Sequence, residues 1–137
     1  MMKLPFVSHI TNLVKPVYAH CDLPCGVYDP AQARIEAESV LAIMKKYEGG
    51  ELDEVGKIRA IMIKEQRADL VKNHLWVLWT DYFKPEHLEK YPNLHDLFWQ
   101  ATKQAGECKH PLEVAEGEKL LAQIDEIARI FRETKKA

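Results

Sequence analysis

The stretch DPAQARIEAESVLAIMKKYEGG, residues 29–50, holds both ends of one helix and predicts how the chain is built. Asp29 is a favourable N-cap and Pro30 suits the first helical position, whereas Gly49 and Gly50 stop a helix. Between these ends, apolar residues recur at helical spacing. They are Ala33, Ala37, Val40, Leu41, Met44 and Tyr47. The stretch therefore predicts an amphipathic helix that buries one face.

Three further long helices are predicted on the same grounds. The second runs from near Asp53 to Pro85, because the residue before a proline disfavours the helical conformation. After a short piece at 86–91, the third begins at Asn93, and Pro111 opens the fourth. The apolar stripes are Val55, Ile58, Met62, Ala68, Val71, Leu75, Leu78 and Tyr82 in the second helix, Leu94, Leu97, Phe98 and Ala101 in the third, and Val114, Leu121, Ile124, Ala128 and Phe131 in the fourth. Since no alternating strand pattern is present, we expect an all-α fold, an antiparallel up-down four-helix bundle.

Some large apolar residues fall partly outside these stripes. They are Ile61, Ile63, Trp76, Trp79 and Trp99. A second apolar face favours contacts between subunits, whereas a wide core-facing stripe would absorb the same residues. The sequence leaves both interpretations open.

The composition narrows the class of protein. The chain has 137 residues, about one domain, of which 47% are apolar. With 19 basic and 21 acidic residues the formal net charge is −2, which argues against a general nucleic-acid binder. No stretch approaches the ~20 apolar residues that a membrane-spanning helix needs. Three cysteines are too few for a disulfide framework. Taken together, these properties predict a cytoplasmic protein without membrane or nucleic-acid partners.

The segment HCDLPCGVY, residues 20–28, carries the chemistry and is called the hook below. Pro24 and Gly26 flank Cys25 and allow a tight turn, which would bring the thiols of Cys21 and Cys25 toward one point beside the imidazole of His20. Two thiolates and an imidazole form a soft-to-borderline ligand set. A structural zinc site would need a fourth ligand, for which Cys108 and His110 lie far along the chain. A local disulfide would not persist in a reducing compartment, and a thioredoxin-like site would need C-x-x-C in an α/β setting.

Residues 1–19, MMKLPFVSHITNLVKPVYA, differ from the rest of the chain. They carry two lysines and no acid, and the small residue Ala19 precedes His20 as it would at a cleavage site. The apolar run of a secretory signal is missing. We therefore predict a removable leader at 1–19 and a functional domain at 20–137, the alternative being an ordinary frayed N-terminus. Removing 19 of 137 residues leaves 118, and loss of the two lysines makes the net charge −4.

Cleavage after Ala19 would give His20 two nitrogen donors, its α-amine and its imidazole. The amine, the amide nitrogen of Cys21 and the Cys21 thiolate would form two fused five-membered chelate rings. The thiolate of Cys25 completes a planar set of two nitrogens and two sulfurs, and the imidazole stays free for an axial position. Such a tetragonal site favours Cu(II) or Ni(II).

The hook resembles the amino terminus of the nickel-containing superoxide dismutase family, whose pattern H-C-x-x-P-C-G-x-Y is complete at 20–28. The similarity continues through IKEQRA (63–68), LWTDYFKP (78–85), EKYP (89–92) and ETKKA (133–137). It is weakest around 45–56 and 103–120. The resemblance implies dismutation of superoxide to oxygen and hydrogen peroxide by Ni(II)/Ni(III) cycling. It also implies a precursor whose leader (propeptide) is removed by a processing peptidase, and a homohexamer of four-helix bundles.

The family's pattern also implies a ligand set, with one nickel ion per subunit. The ligands would be the amine of His20, the amide of Cys21 and the thiolates of Cys21 and Cys25, with the His20 imidazole in the axial position. Glu36 and Arg67 would hold that imidazole in place, since groups around the ligands orient them.

Further residues follow from the same pattern. Tyr28 and Tyr82 would guard the substrate pocket with Asp22 nearby, and Pro24 would shape the hook turn. Lys84 would draw the anionic substrate toward a protein of net negative charge.

Each of these assignments has a structural alternative. Tyr82 continues the stripe of the second helix, so core packing explains it as well as catalysis does. Glu36 and Arg67 fit ordinary surface charges, and Lys84 fits a cation at a helix C-terminus. The runner-up function is a non-catalytic metal-binding or storage bundle, for which the uncleaved chain is the natural form.

Overall fold

The computed structural model describes residues 26–136, within which all regular structure is helical. In chain order the elements are α1 (Ala31–Glu48), α2 (Glu54–Val77), a π-helical turn (Leu78–Tyr82), α3 (Pro85–Lys90), α4 (Leu94–Glu107) and α5 (Val114–Lys135). The predicted all-α fold is confirmed. No helix within 26–136 has the length and apolarity needed to cross a membrane. The predicted leader at 1–19 lies outside the described residues.

The four long helices pack in a ring, in which α1 contacts α2, α2 contacts α4, α4 contacts α5 and α5 contacts α1. Short connections at 49–53 and 108–113 join α1 to α2 and α4 to α5, so each of these pairs runs antiparallel. The link from α2 to α4 is longer and contains the π-helical turn and α3. The start of α1, the end of α2, the start of α4 and the end of α5 therefore meet at one end of the bundle.

The first helix begins and ends where the sequence predicts, within one residue. The Ala31 N–H donates to the Asp29 carboxylate at 2.8 Å, and the Arg34 N–H donates to the Pro30 carbonyl at 3.0 Å. Gly50 has a φ of 71°, a left-handed conformation that glycine adopts without strain. The helix is thus closed at both ends by the residues that the sequence singles out.

The core confirms most of the predicted stripes, but the first half of α2 is an exception. Val55, Ile58 and Met62 are 65%, 63% and 58% exposed, although the sequence placed them in the core. The buried face of α2 consists instead of Ala60, Lys64, Ala68, Val71 and Leu75. Two residues correspond to about 200° of helical rotation, so a stripe through 58 and 62 lies opposite one through 60 and 64. The prediction was wrong because the apolar pattern changes face between its two halves.

Lys64 is a charged residue buried in the core, where its side chain is only 1% exposed. The sequence did not predict this. The Lys64 ammonium donates to the carbonyls of Cys108, Lys109 and Pro111 at 2.6, 2.7 and 2.9 Å. A lysine ammonium carries three donors, so all three are satisfied. Burial lowers the pKa of the Lys64 ammonium.

The same contact explains why α5 begins later than predicted. The sequence placed the start of the fourth long helix at Pro111, but the helix begins at Val114. The three carbonyls that surround Lys64 come from the segment between α4 and α5, which is therefore held as a loop.

Candidate active site

The predicted site residues fall into two groups. His20, Cys21, Asp22, Pro24 and Cys25 lie outside the described residues. Tyr28, Glu36, Arg67, Tyr82 and Lys84 are described, and the structure brings them together in two pairs and one cleft.

The cleft lies at the end of the bundle where α1 begins. It has a volume of about 330 Å³. Its walls are formed by Gly26, Tyr28, Asp81, Tyr82, Lys84, His87, Thr134 and Lys135. The rings of Tyr28 and Tyr82 face each other here, with centroids 5.9 Å apart and planes inclined by 53°. Two residues of the hook, Gly26 and Tyr28, therefore share a cavity with two predicted site residues from a distant part of the chain.

The π-helical turn sets the position of Tyr82. The Phe83 N–H donates to the Leu78 carbonyl at 3.1 Å, which closes a wider turn than an α-helix has. Phe83 and Lys84 are then extended, as expected for a segment that precedes Pro85. Short π-helical segments are frequent at functional sites. Here the turn ends α2 with Tyr82 half-buried, so this residue both packs on the core and lines the cleft.

The Tyr82 hydroxyl lies 2.6 Å from the hydroxyl of Thr134, in the last turn of α5. The ammonium of Lys135 lies 5.0 Å from the centre of the Tyr82 ring, within cation–π range. Neither residue was among the predicted site residues. Both belong to the segment ETKKA, but a contact across 52 positions leaves no local signal in the sequence.

His87 is the third cleft residue that sequence reasoning missed. Its ring stacks on Tyr82 with centroids 5.8 Å apart and an angle of 20°. Its Nδ1 accepts the Lys84 N–H at 3.1 Å, which caps the start of α3. A side chain three residues after a helix N-cap commonly makes such a bond, so the position of Pro85 could have indicated it.

Glu36 and Arg67 form an ion pair that joins α1 to α2. The Arg67 Nη1 lies 3.2 and 3.0 Å from the two carboxylate oxygens of Glu36. The Glu36 side chain is only 14% exposed, and that of Arg67 is 43% exposed. Because the carboxylate is largely withdrawn from water, this pair differs from the exposed surface charges that the sequence left as an alternative.

The one described cysteine is not suited to metal binding. Cys108 is fully buried, and its thiol donates to the Glu116 carbonyl at 3.4 Å. Burial raises the pKa of the thiol to about 11, which disfavours the thiolate that a metal needs. Between residues 26 and 136, no three His, Cys, Asp or Glu side chains cluster as metal ligands would. Cys108 and His110 are therefore not part of a metal-ligand cluster formed by residues 26–136 alone.

Comparison with known proteins identifies the family. A sequence profile described as nickel-containing superoxide dismutase matches residues 15–135. The chain belongs to this family. Its activity is accordingly that of an oxidoreductase, the nickel-dependent dismutation of superoxide, with one nickel ion per subunit.

Individual nickel superoxide dismutases are similar over most of their length. The Superoxide dismutase [Ni] of Streptomyces seoulensis is 59% identical over 121 residues, which cover 88% of this chain and 92% of the relative. The protein of the same name from Streptomyces coelicolor is 57% identical with the same coverage. A crystal structure of nickel-containing superoxide dismutase, with nickel ligation corresponding to the oxidised state, is 58% identical in sequence and superimposes with a TM-score of 0.82. The match covers 86% of this chain and the whole of that chain.

Proposed function

We propose that this chain dismutates superoxide to oxygen and hydrogen peroxide at an N-terminal nickel hook that cleavage before His20 exposes. When bound, nickel supplies the one-electron couple between Ni(II) and Ni(III) that the two halves of the dismutation need. The observation that carries the proposal is that Gly26 and Tyr28 line the same cleft as Tyr82 and Lys84. The segment that bears Cys21 and Cys25 is therefore joined directly to a wall of that cleft.

The donor set fits nickel. His20, Cys21 and Cys25 together offer an amine, an amide nitrogen, two thiolates and an imidazole, a combination suited to a tetragonal ion with soft ligands. Residues 26–136 offer no competing cluster of metal ligands. We therefore infer that these three residues would hold the nickel ion, through the amine and imidazole of His20, the amide nitrogen of Cys21 and the thiolates of Cys21 and Cys25.

Leader removal is part of the proposal, because His20 has no free amine while residues 1–19 are attached. The length of the solved relative supports this. Its whole chain matches 86% of the 137 residues of this chain, which is about 118 residues. Removal of a 19-residue leader also leaves 118. A peptidase that cleaves between Ala19 and His20 is the partner that this step requires.

The pair formed by Glu36 and Arg67 is proposed to orient the His20 imidazole. A carboxylate that is largely buried and held by a guanidinium has a fixed position, and it can accept an imidazole N–H. Fixing the ring in this way would set which nitrogen faces the metal. Arg67 would in turn hold the Glu36 carboxylate in place.

The cleft residues are proposed to handle the substrate and its protons. Lys84 and Lys135 place positive charge at a cleft on a chain whose processed form has a net charge of −4, which favours entry of an anion. Tyr28 and Tyr82 can order water through their hydroxyls, with Asp22 nearby in the hook. Pro24 would shape the hook so that its thiols reach one metal.

We propose that the enzyme assembles as a homohexamer and acts in the cytoplasm. Large apolar side chains lie exposed on α2 and α4, which a monomer rarely leaves in contact with water. They include Val55, Ile58, Met62, Trp76 and Trp99. Contacts between subunits would cover this face.

Native mass spectrometry on protein from nickel-supplied cells tests the proposal, because it reads the N-terminus, the nickel content and the assembly together. We expect a chain that starts at His20, carries one nickel and forms a hexamer. Superoxide decay is then followed with the same sample. A processed, nickel-loaded protein that does not consume superoxide would instead be a metal-binding or storage bundle. Cleavage of unprocessed chain in vitro, followed by nickel addition, separates failed maturation from a wrong assignment.

A further inference from the structure

The Tyr82 ring is confined by its neighbours. The ring centres of Phe131 and Phe83 lie 4.5 and 5.0 Å away, and His87 stacks on one face. The ammonium of Lys135 is 5.0 Å from the ring centre. These contacts fix where the phenol oxygen lies, and they leave the direction of its hydrogen as the remaining freedom.

Thr134 determines that direction. Its hydroxyl oxygen lies 2.6 Å from the Phe131 carbonyl oxygen and 2.6 Å from the Tyr82 hydroxyl oxygen. A carbonyl can only accept, and a threonine hydroxyl has one hydrogen to donate. If Thr134 donates to Phe131, it can only accept from Tyr82. The Tyr82 hydrogen then points at Thr134, and lone pairs of the phenol oxygen remain for partners in the cleft.

We infer that Thr134 is a positioning residue for the dismutation, which turns Tyr82 into a hydrogen-bond acceptor toward the cleft. The inference rests on the proposed function, which assigns Tyr82 to the substrate pocket. Water and hydrogen peroxide carry O–H donors, whereas superoxide is an anion that can only accept. The Tyr82 oxygen therefore binds water or product and does not bind substrate directly. A water held in this way keeps its second hydrogen available for superoxide.

The test compares four variants of the processed, nickel-loaded enzyme. Thr134→Val removes the acceptor at nearly constant volume, and Thr134→Ser retains it. Tyr82→Phe removes the phenol oxygen. Tyr91→Phe is the matched control, because the Tyr91 hydroxyl makes a similar 2.6 Å bond to Glu133, one position away on the same helix.

Steady-state kinetics should separate positioning from a general loss of structure. In Thr134→Val the Tyr82 hydrogen is free to turn into the cleft and bind the anion, so we expect KM to fall about three- to ten-fold. We expect kcat to fall as well, because the ordered water is lost. Thr134→Ser should restore both constants toward wild type, and Tyr91→Phe should leave them unchanged. A loss of active protein alone would lower kcat at constant KM and would overturn the inference.

A second measurement does not depend on activity. With 3-fluorotyrosine incorporated, the ¹⁹F resonance of Tyr82 is assigned by its absence in Tyr82→Phe. We expect Thr134→Val to shift this resonance and Thr134→Ser to return it. An unchanged resonance in Thr134→Val would overturn the inference. Should Thr134→Val fail to fold, Thr134→Ala removes the same acceptor and is held to the same outcomes.

The kinetics of Tyr82→Phe distinguish the inference from the proposed function. If Tyr82→Phe alters KM or kcat and Thr134→Val does not, only the role of Thr134 is wrong. If Tyr82→Phe is kinetically silent in an active enzyme, Tyr82 does not belong to the substrate pocket, and both assignments fail.

Discussion

Two regions of the bundle differ in whether their polar groups are buried with protein partners or face solvent. Around Lys64, a buried ammonium meets three carbonyls, so its three donors all have partners inside the protein. In the cleft, Tyr82 and Thr134 lie only half-buried, and Lys84 and Lys135 are exposed. In the first region, which we call the Lys64 junction, the charged side chain is shielded from solvent, whereas the second region is open to solvent.

The difference indicates which region serves stability and which serves chemistry. A buried polar network whose members are all satisfied makes the fold rigid and offers nothing to a ligand. Polar groups that converge on an open cleft keep capacity for one. Eighteen residues separate 64 from 82, or roughly 27 Å along a helix. Substitutions in the two regions should therefore act independently.

The largest expected effect concerns the hook beside the cleft. Cys21→Ser or Cys25→Ser removes a thiolate ligand, so we expect loss of both nickel and activity. The activity loss should exceed the roughly 10- to 100-fold cost of removing a residue that only supports a ligand. Nickel content and superoxide decay measure it.

Cys108→Ser is the matched control for the hook cysteines. Its hydroxyl can still donate to the Glu116 carbonyl, and the side chain is buried away from the cleft. We expect it to keep nickel and activity. A Cys21→Ser or Cys25→Ser protein that retains both would contradict the proposed ligand set.

The second-largest effect is expected at the Lys64 junction, and it should change the stability of the fold without changing the activity. Lys64→Met leaves one buried and two partly buried carbonyls without their donor, which we expect to cost about 2–4 kcal/mol in the free energy of unfolding. Urea denaturation measures this loss. The activity of folded, nickel-loaded protein should not change, because the junction is remote from the cleft.

Lys57→Met serves as the control on the same helix. Lys57 pairs with Glu54 at the surface, so its loss should leave unfolding close to wild type. If Lys64→Met were equally harmless, water would be satisfying the three carbonyls, and the junction would not stabilise the fold.

The two regions also differ in how far the sequence predicted them. The hook pattern and the family resemblance pointed to Glu36 with Arg67, and to Tyr28 with Tyr82, and each pair is in contact. Nothing in the sequence pointed to the Lys64 junction. Lysine is rarely buried, and its partners are backbone carbonyls more than 40 positions away, whose direction depends on the completed fold.

Predictions from periodicity succeeded where a helix has one apolar face and failed where it has two. In α1 a single apolar stripe and clear signals at both ends correctly predicted the helix and its buried residues. In α2 the stripe through Ile58 and Met62 is as apolar as the true core stripe. Which stripe is buried depends on neighbouring helices, which a pattern along one helix does not contain.

A smaller effect is expected from the pair that supports the hook. Glu36→Gln keeps the shape of the side chain and removes its charge, so the His20 imidazole should be held less firmly. We expect kcat/KM to fall about 10-fold with nickel retained, measured as superoxide decay per bound nickel. Glu38→Gln is the control, because Glu38 pairs with Arg34 on the exposed side of the same helix. Full activity in Glu36→Gln would leave the pair a purely structural link between α1 and α2.

The smallest expected effect tests whether the Cys108 thiol at the Lys64 junction is shielded from solvent. Burial raises the pKa of the Cys108 thiol to about 11 from an ordinary 9.0, so the folded protein keeps this proton at pH values where the unfolded chain releases it. The unfolded state then binds fewer protons, and stability falls as the pH rises from about 9 to 11.

Comparison with Cys108→Ser isolates this contribution, because the serine does not ionise and other titrating groups, including Lys64, are common to both proteins. Relative to the variant, wild type should lose about 1 kcal/mol in the free energy of unfolding between pH 8 and 10, measured by urea denaturation. Parallel stability curves for the two proteins would mean that water reaches the thiol. The junction would then be as open to solvent as the cleft, and the distinction between the two regions would rest on Lys64 alone.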